Sequence, residues 1–489
     1  MKISQKLLVV ILILFFGIEL NPVAKPVFAQ NRNADATDFT SRLTTIFGLG
    51  SRISHEGSEM LLPFRQNGKL HLALTDCIDI ALERNLDIHL IEETLAQANA
   101  DITRAWSAML PFFGAEANYT KLDEDLTFGL GPVSMTFMDR DIYKGGVVLR
   151  QPIFTGGRLN AARKAARYSR DARIQDKKSI EEEIIFQVTR VYWTAQVSEA
   201  FHNVAIEAVE LLEKHEHDVS ILVREGANPV VDLLRTKTDL ADARKNLNAS
   251  ANAFDIALSG LKNLLVMDLE EPVFLTQGLD RPPKPAGDLS SFTSLAIKSR
   301  PELSSLKFQV AAAEQGLAAA RGEYFPSVAL EGRYEYIQGD TREIDGDSHW
   351  TVGIGAEVPL WNWGKTKADV IKAGSKLNQS KIEYKKVEEQ ICLEIRKAFL
   401  NLGKAEKNIA VAEAALKTSN EAYRMERARY QAGEGTNTDV LDARTAFSRA
   451  EANHVQALFE YNVAMATLER AMGVNIRECA NLKQKEQTE

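Results

Sequence analysis

Residues Arg158–Glu225 read RLNAARKAARYSRDARIQDKKSIEEEIIFQVTRVYWTAQVSEAFHNVAIEAVELLEKHEHDVSILVRE, a run of 68 residues without proline or glycine. As a single α-helix this run would be about 100 Å long, because each residue adds about 1.5 Å. Its apolar residues Ile184, Val188 and Val191 are spaced by four and then three positions and are flanked by charged residues, as in the seam of a coiled coil. A helix of that length cannot bury itself in a compact domain, so the run predicts a stalk, a fibre or the wall of a tube.

The run is one half of a long internal repeat. An offset of 207 residues places Arg158–Glu225 on Lys365–Ala432 without a gap. An offset of 215 residues places Ala81–Ile88 on Ala296–Leu303, also without a gap. Two gapless blocks in the same order indicate a duplicated unit, and the length variation falls between the blocks. Each unit reads as helix, strand pair, long helix, tight turn and returning helix.

The remaining helices are predicted from the same pattern. Shorter helices are expected over Ala73–Leu110 and Leu303–Tyr324, and returning helices over Val230–Val266 and Thr438–Met472. A short glycine-bearing turn precedes each returning helix, as expected where a helix ends and the chain reverses.

Alternating patterns lie between the helices. In Trp350–Leu360 the even positions are apolar or aromatic and the odd ones are mainly small or polar, and Ser327–Tyr336 and Phe113–Thr120 alternate similarly. A weaker return strand is expected near Tyr143–Gln151. Strands of about ten residues with one apolar and one polar face are typical of membrane-barrel strands, although a soluble antiparallel sheet alternates too. Four strands cannot close a barrel, so the membrane interpretation requires several chains, and three chains would supply twelve strands.

The chain begins with a predicted signal peptide. Lys2 and Lys6 form a basic region, Leu7–Ile18 is apolar, and small residues end at Ala29, so cleavage before Gln30 is expected. The alternative is a membrane anchor, but the apolar run is shorter than the roughly 20 residues of a span. Residues 30–69 and 476–489 are assigned to an N-terminal extension and a C-terminal tail without a predicted role.

Composition and motifs exclude several classes of function. The net charge of −8 argues against nucleic-acid binding, which needs a basic surface. Cys77, Cys392 and Cys479 show no paired spacing, so no structural disulfide is expected. His215 and His217 lie two residues apart on a helix and would diverge rather than share a ligand. Without a phosphate loop, catalytic triad or zinc motif, we expect no enzyme activity, cofactor or metal site.

Several motifs resemble those of the TolC-type outer membrane factors. The similarity is carried by LALTDCI (Leu72–Ile78), QPIFTGGR (Gln151–Arg158), YQAG (Tyr430–Gly433) and TDVLDAR (Thr438–Arg444). It extends from about residue 70 to 475, with repeat 1 over 70–277, a linker over 278–289 and repeat 2 over 290–475.

The resemblance implies a homotrimer in the outer membrane that is mainly α-helical with membrane β-strands. Twelve strands would form a β-barrel and twelve helices a periplasmic α-barrel closed at its far end like an iris. It implies an exit duct of a tripartite efflux or type I secretion system, with a periplasmic adaptor and an inner-membrane transporter as partners. A periplasmic adaptor and a structural coiled-coil protein are the alternatives, and the duplicated strand pairs argue against both.

The resemblance also assigns roles to residues at the hairpin tips. Asp439 and Asp442 lie three apart on one helix face, and three copies would surround the entrance with six carboxylates that attract cations and raise one another's pKa values. The simpler alternative is a helix start, where aspartate is favoured by the helix dipole.

Other tip residues would close the entrance or bind the adaptor. Asp232 and Tyr430 match positions that hydrogen-bond between neighbouring coils and hold the entrance shut. Where well-characterised members have a closing arginine, this chain has Gly435, so Arg235 or Arg444 is expected to replace it. The turn residues Gly226 and Gly433 match the tips that adaptors touch, or serve only to end the helices.

Overall fold

The computed structural model describes residues 65–66, 69–130, 133–138, 140–339 and 347–474. All of them belong to one compact unit. The predicted signal peptide (residues 1–29), nearly all of the predicted extension (30–69) and the predicted tail (476–489) lie outside the described residues.

Two sets of helices follow one another with matching lengths. They are α1 (Leu74–Arg84), α2 (Leu86–Ser107), α3 (Arg158–Arg224) and α4 (Val230–Leu264), then α5 (Leu289–Ser299), α6 (Pro301–Gly322), α7 (Lys365–Gln431) and α8 (Asn437–Met472). Both α3 and α7 have 67 residues, and both α2 and α6 have 22. The duplication predicted from the two sequence offsets is therefore confirmed, helix by helix.

The first of the shorter predicted helices was wrong in one respect, because it is two helices, whereas the predicted Leu303–Tyr324 corresponds to α6 alone and α5 was not predicted. The helix expected over Ala73–Leu110 breaks at Asn85, whose backbone is extended and whose side chain accepts a hydrogen bond from the Asp87 N–H at 2.8 Å. Asparagine is favoured at such a helix start. In the second repeat the break precedes Pro301, the first residue of α6, since proline suits a helix start but not its interior.

Four strands form one antiparallel sheet. Their order is β3 (Phe112–Lys121), β6 (Asp141–Thr155), β8 (Ser327–Gly339) and β9 (Asp347–Glu357). The β6 strand is longer than the predicted return strand, and β9 ends before the predicted Leu360. Apolar and aromatic side chains occupy one face in register, as in the row Ala115, Val147, Tyr334 and Trp350. The next row, on the other face, contains Glu116, Gly146, Glu335 and His349.

Two smaller sheets were not predicted from the sequence. The β2 strand (Lys69–Leu72) pairs in parallel with β7 (Val273–Leu275) and antiparallel with β1 (Arg65–Gln66). It thereby joins the beginning of the first repeat to its end. The β4 (Leu126–Leu130) and β5 (Val133–Met138) strands form a separate hairpin between β3 and β6.

The seam positions of the long helices supply the core. Val188 and Tyr192 of α3 are fully buried with Leu72 and Cys77 in one cluster. The Tyr192 hydroxyl accepts a hydrogen bond from the Gln277 N–H at 3.1 Å. Ile395 and its neighbours on α7 form the equivalent cluster of the second repeat with α5 and α8. Burying each such side chain contributes about 1.5–3 kcal/mol, so each long helix is anchored near its middle.

The junctions between strands and long helices use left-handed glycines. Gly157 (φ 79°) directly precedes α3, and Gly364 (φ 81°) directly precedes α7. Among the described helices there is none whose length and hydrophobicity together would suit a membrane span.

Candidate functional site at the hairpin tips

The two helical hairpins turn in the same way at their tips. A left-handed glycine lies two residues beyond the end of each long helix, Gly226 after α3 and Gly433 after α7, both with φ 76°. The Ala227 N–H donates to the Leu222 carbonyl at 2.8 Å, and the matching bond in the second hairpin is 2.9 Å long. This is the Schellman arrangement of a helix end. A Cβ at either glycine would meet open space, so the backbone angle alone favours glycine there.

Asp439 caps the start of α8. Its carboxylate accepts hydrogen bonds from the Thr436 hydroxyl at 2.7 Å and the Thr436 N–H at 3.1 Å, and the Asp439 N–H donates to the Thr436 hydroxyl oxygen at 3.2 Å. This reciprocal pair is a capping box. The bonds from Thr436 lower the pKa of Asp439, which is opposite in direction to the rise predicted for a ring of carboxylates.

Asp442 lies one turn further along α8 and is exposed. The structure brings it close to Asp239 of α4, which the sequence analysis did not single out. Burial, followed by the charges of Asp242 and Asp442, raises the pKa of Asp239. The carboxylates near the tip therefore come from both hairpins, and the sequence spacing along α8 alone did not reveal this.

Tyr430 connects the two hairpins. Its hydroxyl accepts a hydrogen bond at 2.7 Å from the side-chain amide of Asn228, in the turn between α3 and α4. Burial and then the charge of Asp232 raise the pKa of Tyr430. Asp232 is thus near Tyr430, and its backbone carbonyl accepts a hydrogen bond from the Asn437 side chain at 3.2 Å.

The two arginines proposed as substitutes for the missing closing residue lie in different surroundings. Arg235 of α4 donates to the Thr438 hydroxyl of α8 at 3.2 Å, so it links the hairpins at the tip. Arg444 points into the interior, with its guanidinium carbon 5.9 Å from the Tyr423 ring centre and 3.9 Å between its nitrogen and a Glu451 carboxylate oxygen. Burial lowers the pKa of Arg444 and raises that of Glu451 to about 7, despite the attraction between them.

A buried polar cluster next to Tyr430 was missed by the sequence analysis. It contains His215 of α3, Thr236 of α4 and Asn437 of α8, which are 4%, 0% and 2% exposed. His215 Nε2 lies 2.8 Å from Asn437 Oδ1, and Asn437 Nδ2 lies 3.2 Å from the Thr236 hydroxyl oxygen. The only signal in the sequence was a pair of histidines on a predicted helix. The cluster could not be predicted from it, because Asn437 lies 222 residues from His215 and Thr236 lies on another helix.

The second histidine has a different environment. His217 is exposed, so the pair diverges as expected for residues two apart on a helix. In the described part of the chain, no three or more His, Cys, Asp or Glu side chains are placed to hold a metal ion.

A sequence model of the family described as outer membrane efflux protein matches residues 77–265 and 292–474, well over half of the chain. The chain belongs to the outer membrane efflux protein family. The two matched segments begin within α1 and α5, so each covers one unit of helices and strands.

Named relatives agree with this family. Outer membrane efflux protein BepC of Brucella suis biovar 1 (strain 1330) is 24% identical over 243 residues, which cover 49% of this chain and 53% of that protein. Cation efflux system protein CusC of Escherichia coli (strain K12) is 22% identical over 296 residues, or 59% of this chain and 63% of that protein. The chain thus spans between about half and two thirds of the length of these curated relatives.

Solved structures show that the fold is that of the family. The outer-membrane channel OprN superposes with a TM-score of 0.73 at 19% sequence identity, covering 83% of this chain and 90% of that one. The similarity therefore includes the strands and both helical hairpins, which together make up most of the described chain.

One position departs from the pattern expected of an outer membrane efflux protein. A Cβ at Gly435 would lie 3.2 Å from the Tyr430 nitrogen and 3.3 Å from the Arg429 Cβ, which is tighter than ordinary van der Waals contact. Arg429 instead donates to the Glu434 carbonyl at 3.3 Å. The tip turn is therefore packed too closely for an arginine at position 435 unless the neighbouring backbone shifts.

The polar face of the four-stranded sheet is a second candidate region of this outer membrane efflux protein. Arg333 lies at its centre, 2.9 Å from Glu116, 2.7 Å from Glu335 and 3.4 Å from Glu331. Arg150 pairs with Glu331 at 3.0 Å. These side chains are half-buried to exposed in the single chain, so the face is a charged surface opposite an apolar one.

Proposed function

We propose that the chain is one protomer of a homotrimeric exit duct in the outer membrane, which passively conducts cargo outward from a tripartite efflux or type I secretion system. One observation carries the proposal. A four-stranded sheet with an apolar and a charged face leads directly into helices of 67 residues, twice in the same chain. Because four strands are too few to close a barrel, the sheet needs further copies, and three chains supply twelve strands.

An unpartnered apolar stripe on α7 supports assembly with other copies. Its members are exposed in the single chain and are spaced by 11, 11, 7 and 11 residues: Ile371, Ile382, Leu393, Leu400 and Val411. At about 100° per residue, all five lie within about 40° of one another around the helix. A straight apolar stripe of that length fits the flank of a neighbouring helix in a closed ring, whereas on a free stalk it would face water.

The two faces of the sheet fit a membrane location. Tyr334, Trp350, Val352 and Ile354 are exposed on the apolar face, as expected for contact with outer-membrane lipid and its interfaces. The charged face around Arg333 would then line a water-filled lumen. The two alternatives are a periplasmic adaptor and a structural coiled-coil protein. Neither function requires a sheet with one apolar and one charged face.

The hairpin tips would form the periplasmic entrance. Asp439 and Asp442 are proposed to line it, with Asp232, Tyr430, Arg235 and Arg444 as closing contacts. The tip turns at Gly226 and Gly433 are proposed to dock a periplasmic adaptor, which connects the duct to an inner-membrane transporter. That transporter would supply the energy, since the proposed duct only conducts.

The proposal is tested by conductance of the purified protein in a planar bilayer. Wild type should give cation-selective openings, and Asp439→Asn/Asp442→Asn should lose part of that selectivity because the double change removes the carboxylate charges but keeps their shape. Asp255→Asn, at an exposed position far along α4, is the matched control and should behave as wild type. A folded preparation that never inserts or conducts would contradict the duct, while conductance unaffected by the double change would contradict only the role of the carboxylates.

A further inference from the structure

The hydrogen bonds of the buried cluster fix which atom of His215 carries a proton. The Asp232 carbonyl can only accept, so the Asn437 amide must point its NH₂ group toward it. Asn437 Oδ1 then faces His215 Nε2. His215 must therefore donate from Nε2, and as a neutral ring it has no proton on Nδ1.

This cluster joins the two hairpins across their junction. Asn437 is the first residue of α8, and its side chain contacts His215 of α3 and Thr236 of α4 at once. The Tyr430 ring of α7 packs edge-on against His215, with 5.4 Å between ring centres. All four long helices thus meet in one buried cluster close to the tips.

We propose that Asn437 and His215 form a latch that holds the two hairpins together at the tip, and that protonation of His215 releases it. The inference rests on the proposed function, because releasing the tip has a consequence only if the tip closes a duct. It adds two residues that neither the family resemblance nor the predicted closing contacts include.

The surroundings of His215 favour its neutral form. Burial lowers the pKa of His215, the Asn437 bond and the Asp218 carboxylate of α3 raise it, and Arg427 of α7 lowers it, with a net decrease. Helix α8 presents Asn437 to the ring, and α4 contributes Thr236, which bonds to Asn437; both side chains are neutral. A charge placed on the ring would lie among Tyr430 and the apolar side chains of the junction, where it is poorly solvated.

The direction of the pH effect follows from this balance. The closed tip holds a neutral His215, whereas a separated tip exposes the ring, which then binds a proton near its ordinary pKa of 6.5. The latch is therefore fully effective above that pH and weakens as the pH falls through it. The closed-to-open ratio should fall by up to about tenfold for each pH unit between the ordinary and the lowered pKa.

Conductance against pH tests the latch. Wild-type openings in a planar bilayer should become more frequent when the periplasmic side is changed from about pH 7.5 to about pH 5.5, across the ordinary titration range of histidine. His215→Gln keeps a hydrogen-bond donor but cannot titrate, so its openings should not respond to pH. Asn437→Ala should open more often at both pH values. His217→Gln, an exposed histidine two residues away, should retain the wild-type response.

The outcomes separate the latch from the duct. Conductance with the same pH response in wild type and His215→Gln would overturn the latch and leave the duct standing. If no variant conducts, the proposed duct is contradicted. Thermal unfolding of the same proteins then tests whether protonation of His215 is linked to the stability of the folded chain. The midpoint of wild type should then fall more on acidification than that of His215→Gln, and equal falls would overturn the role of His215.

Discussion

Gly156 and Trp363 occupy the same place in the two repeats and share a left-handed backbone, with φ 61° and 54°. Their surroundings differ. A Cβ at Gly156 would lie 2.2 Å from the carbonyl oxygen of Gly322, whereas the Trp363 side chain is 89% exposed. In the first repeat, glycine therefore allows the strand-to-helix junction to pack against the end of α6. In the second repeat, a large aromatic side chain lies on the surface, and its left-handed backbone is strained.

From this contact we predict that Gly156→Ala destabilises the protein by about 2 kcal/mol or more, because the left-handed angle and the clash with backbone both oppose a side chain. Thermal unfolding of the detergent-solubilised protein would measure the loss. Gly145→Ala is the matched control, since a Cβ at that strand position meets open space. Equal unfolding midpoints for the two variants would show that the junction accommodates the added Cβ without losing stability.

At the scale of single elements, the repeat made the long helices predictable. Matching offsets located both ends of α3 and α7, because a strand junction and a tip turn border each of them in the sequence. The break at Asn85 was not predicted, since one hydrogen bond to the Asp87 N–H decides it and no proline marks it. The parallel β2–β7 pair was also missed, because strands of four and three residues that are far apart in sequence leave no periodic pattern.

The candidate site was predictable to a similar degree. The sequence located the tip turns and the capping aspartate, which depend on neighbouring residues. It could not locate the His215–Asn437 contact, because that bond joins side chains 222 residues apart. Nor could it show that Tyr430 would bond to Asn228, a choice that depends on how the two hairpins pack.

The stripe on α7 leads to a prediction about assembly. Ile382→Glu/Leu393→Glu should leave the protomer folded but weaken association, because two charges would have to be buried against the neighbouring copy. Light scattering coupled to size-exclusion chromatography would report the loss of trimer, and circular dichroism would check helix content. Asn420→Glu, exposed on the opposite side of the same helix, should assemble like wild type. Normal trimers from the double variant would mean that another surface joins the copies.

At the scale of the whole molecule, the charged face of the sheet should influence which ions pass. Arg333 balances three carboxylates, those of Glu116, Glu331 and Glu335. Its replacement by glutamine would remove one positive charge from beside them in each of the three chains of the proposed trimer. We expect the reversal potential in a salt gradient to shift toward stronger cation preference.

Arg104→Gln serves as the control for that measurement, because Arg104 is exposed on α2 and, within the described part of the chain, its ion pair is with Asp101 of the same helix turn at 3.0 Å. It removes the same formal charge without touching the sheet. If both variants shift the potential equally, the effect comes from net charge rather than from the proposed lumen, and the sheet face would lose its assigned role.

The equal length of α3 and α7 limits how this protein can change in evolution. Deleting one residue from either helix would shorten it by about 1.5 Å and rotate everything beyond the deletion by about 100°, so the seam residues and the tip would lose their partners in the other hairpin. Insertions of about eleven residues, close to three whole turns, would keep each residue on the same side of its helix. They would preserve the packing only if both long helices and their returning helices acquired them together. We therefore expect related genes to differ freely in their strand loops and to lengthen or shorten the helical tunnel only in coordinated, whole-turn steps.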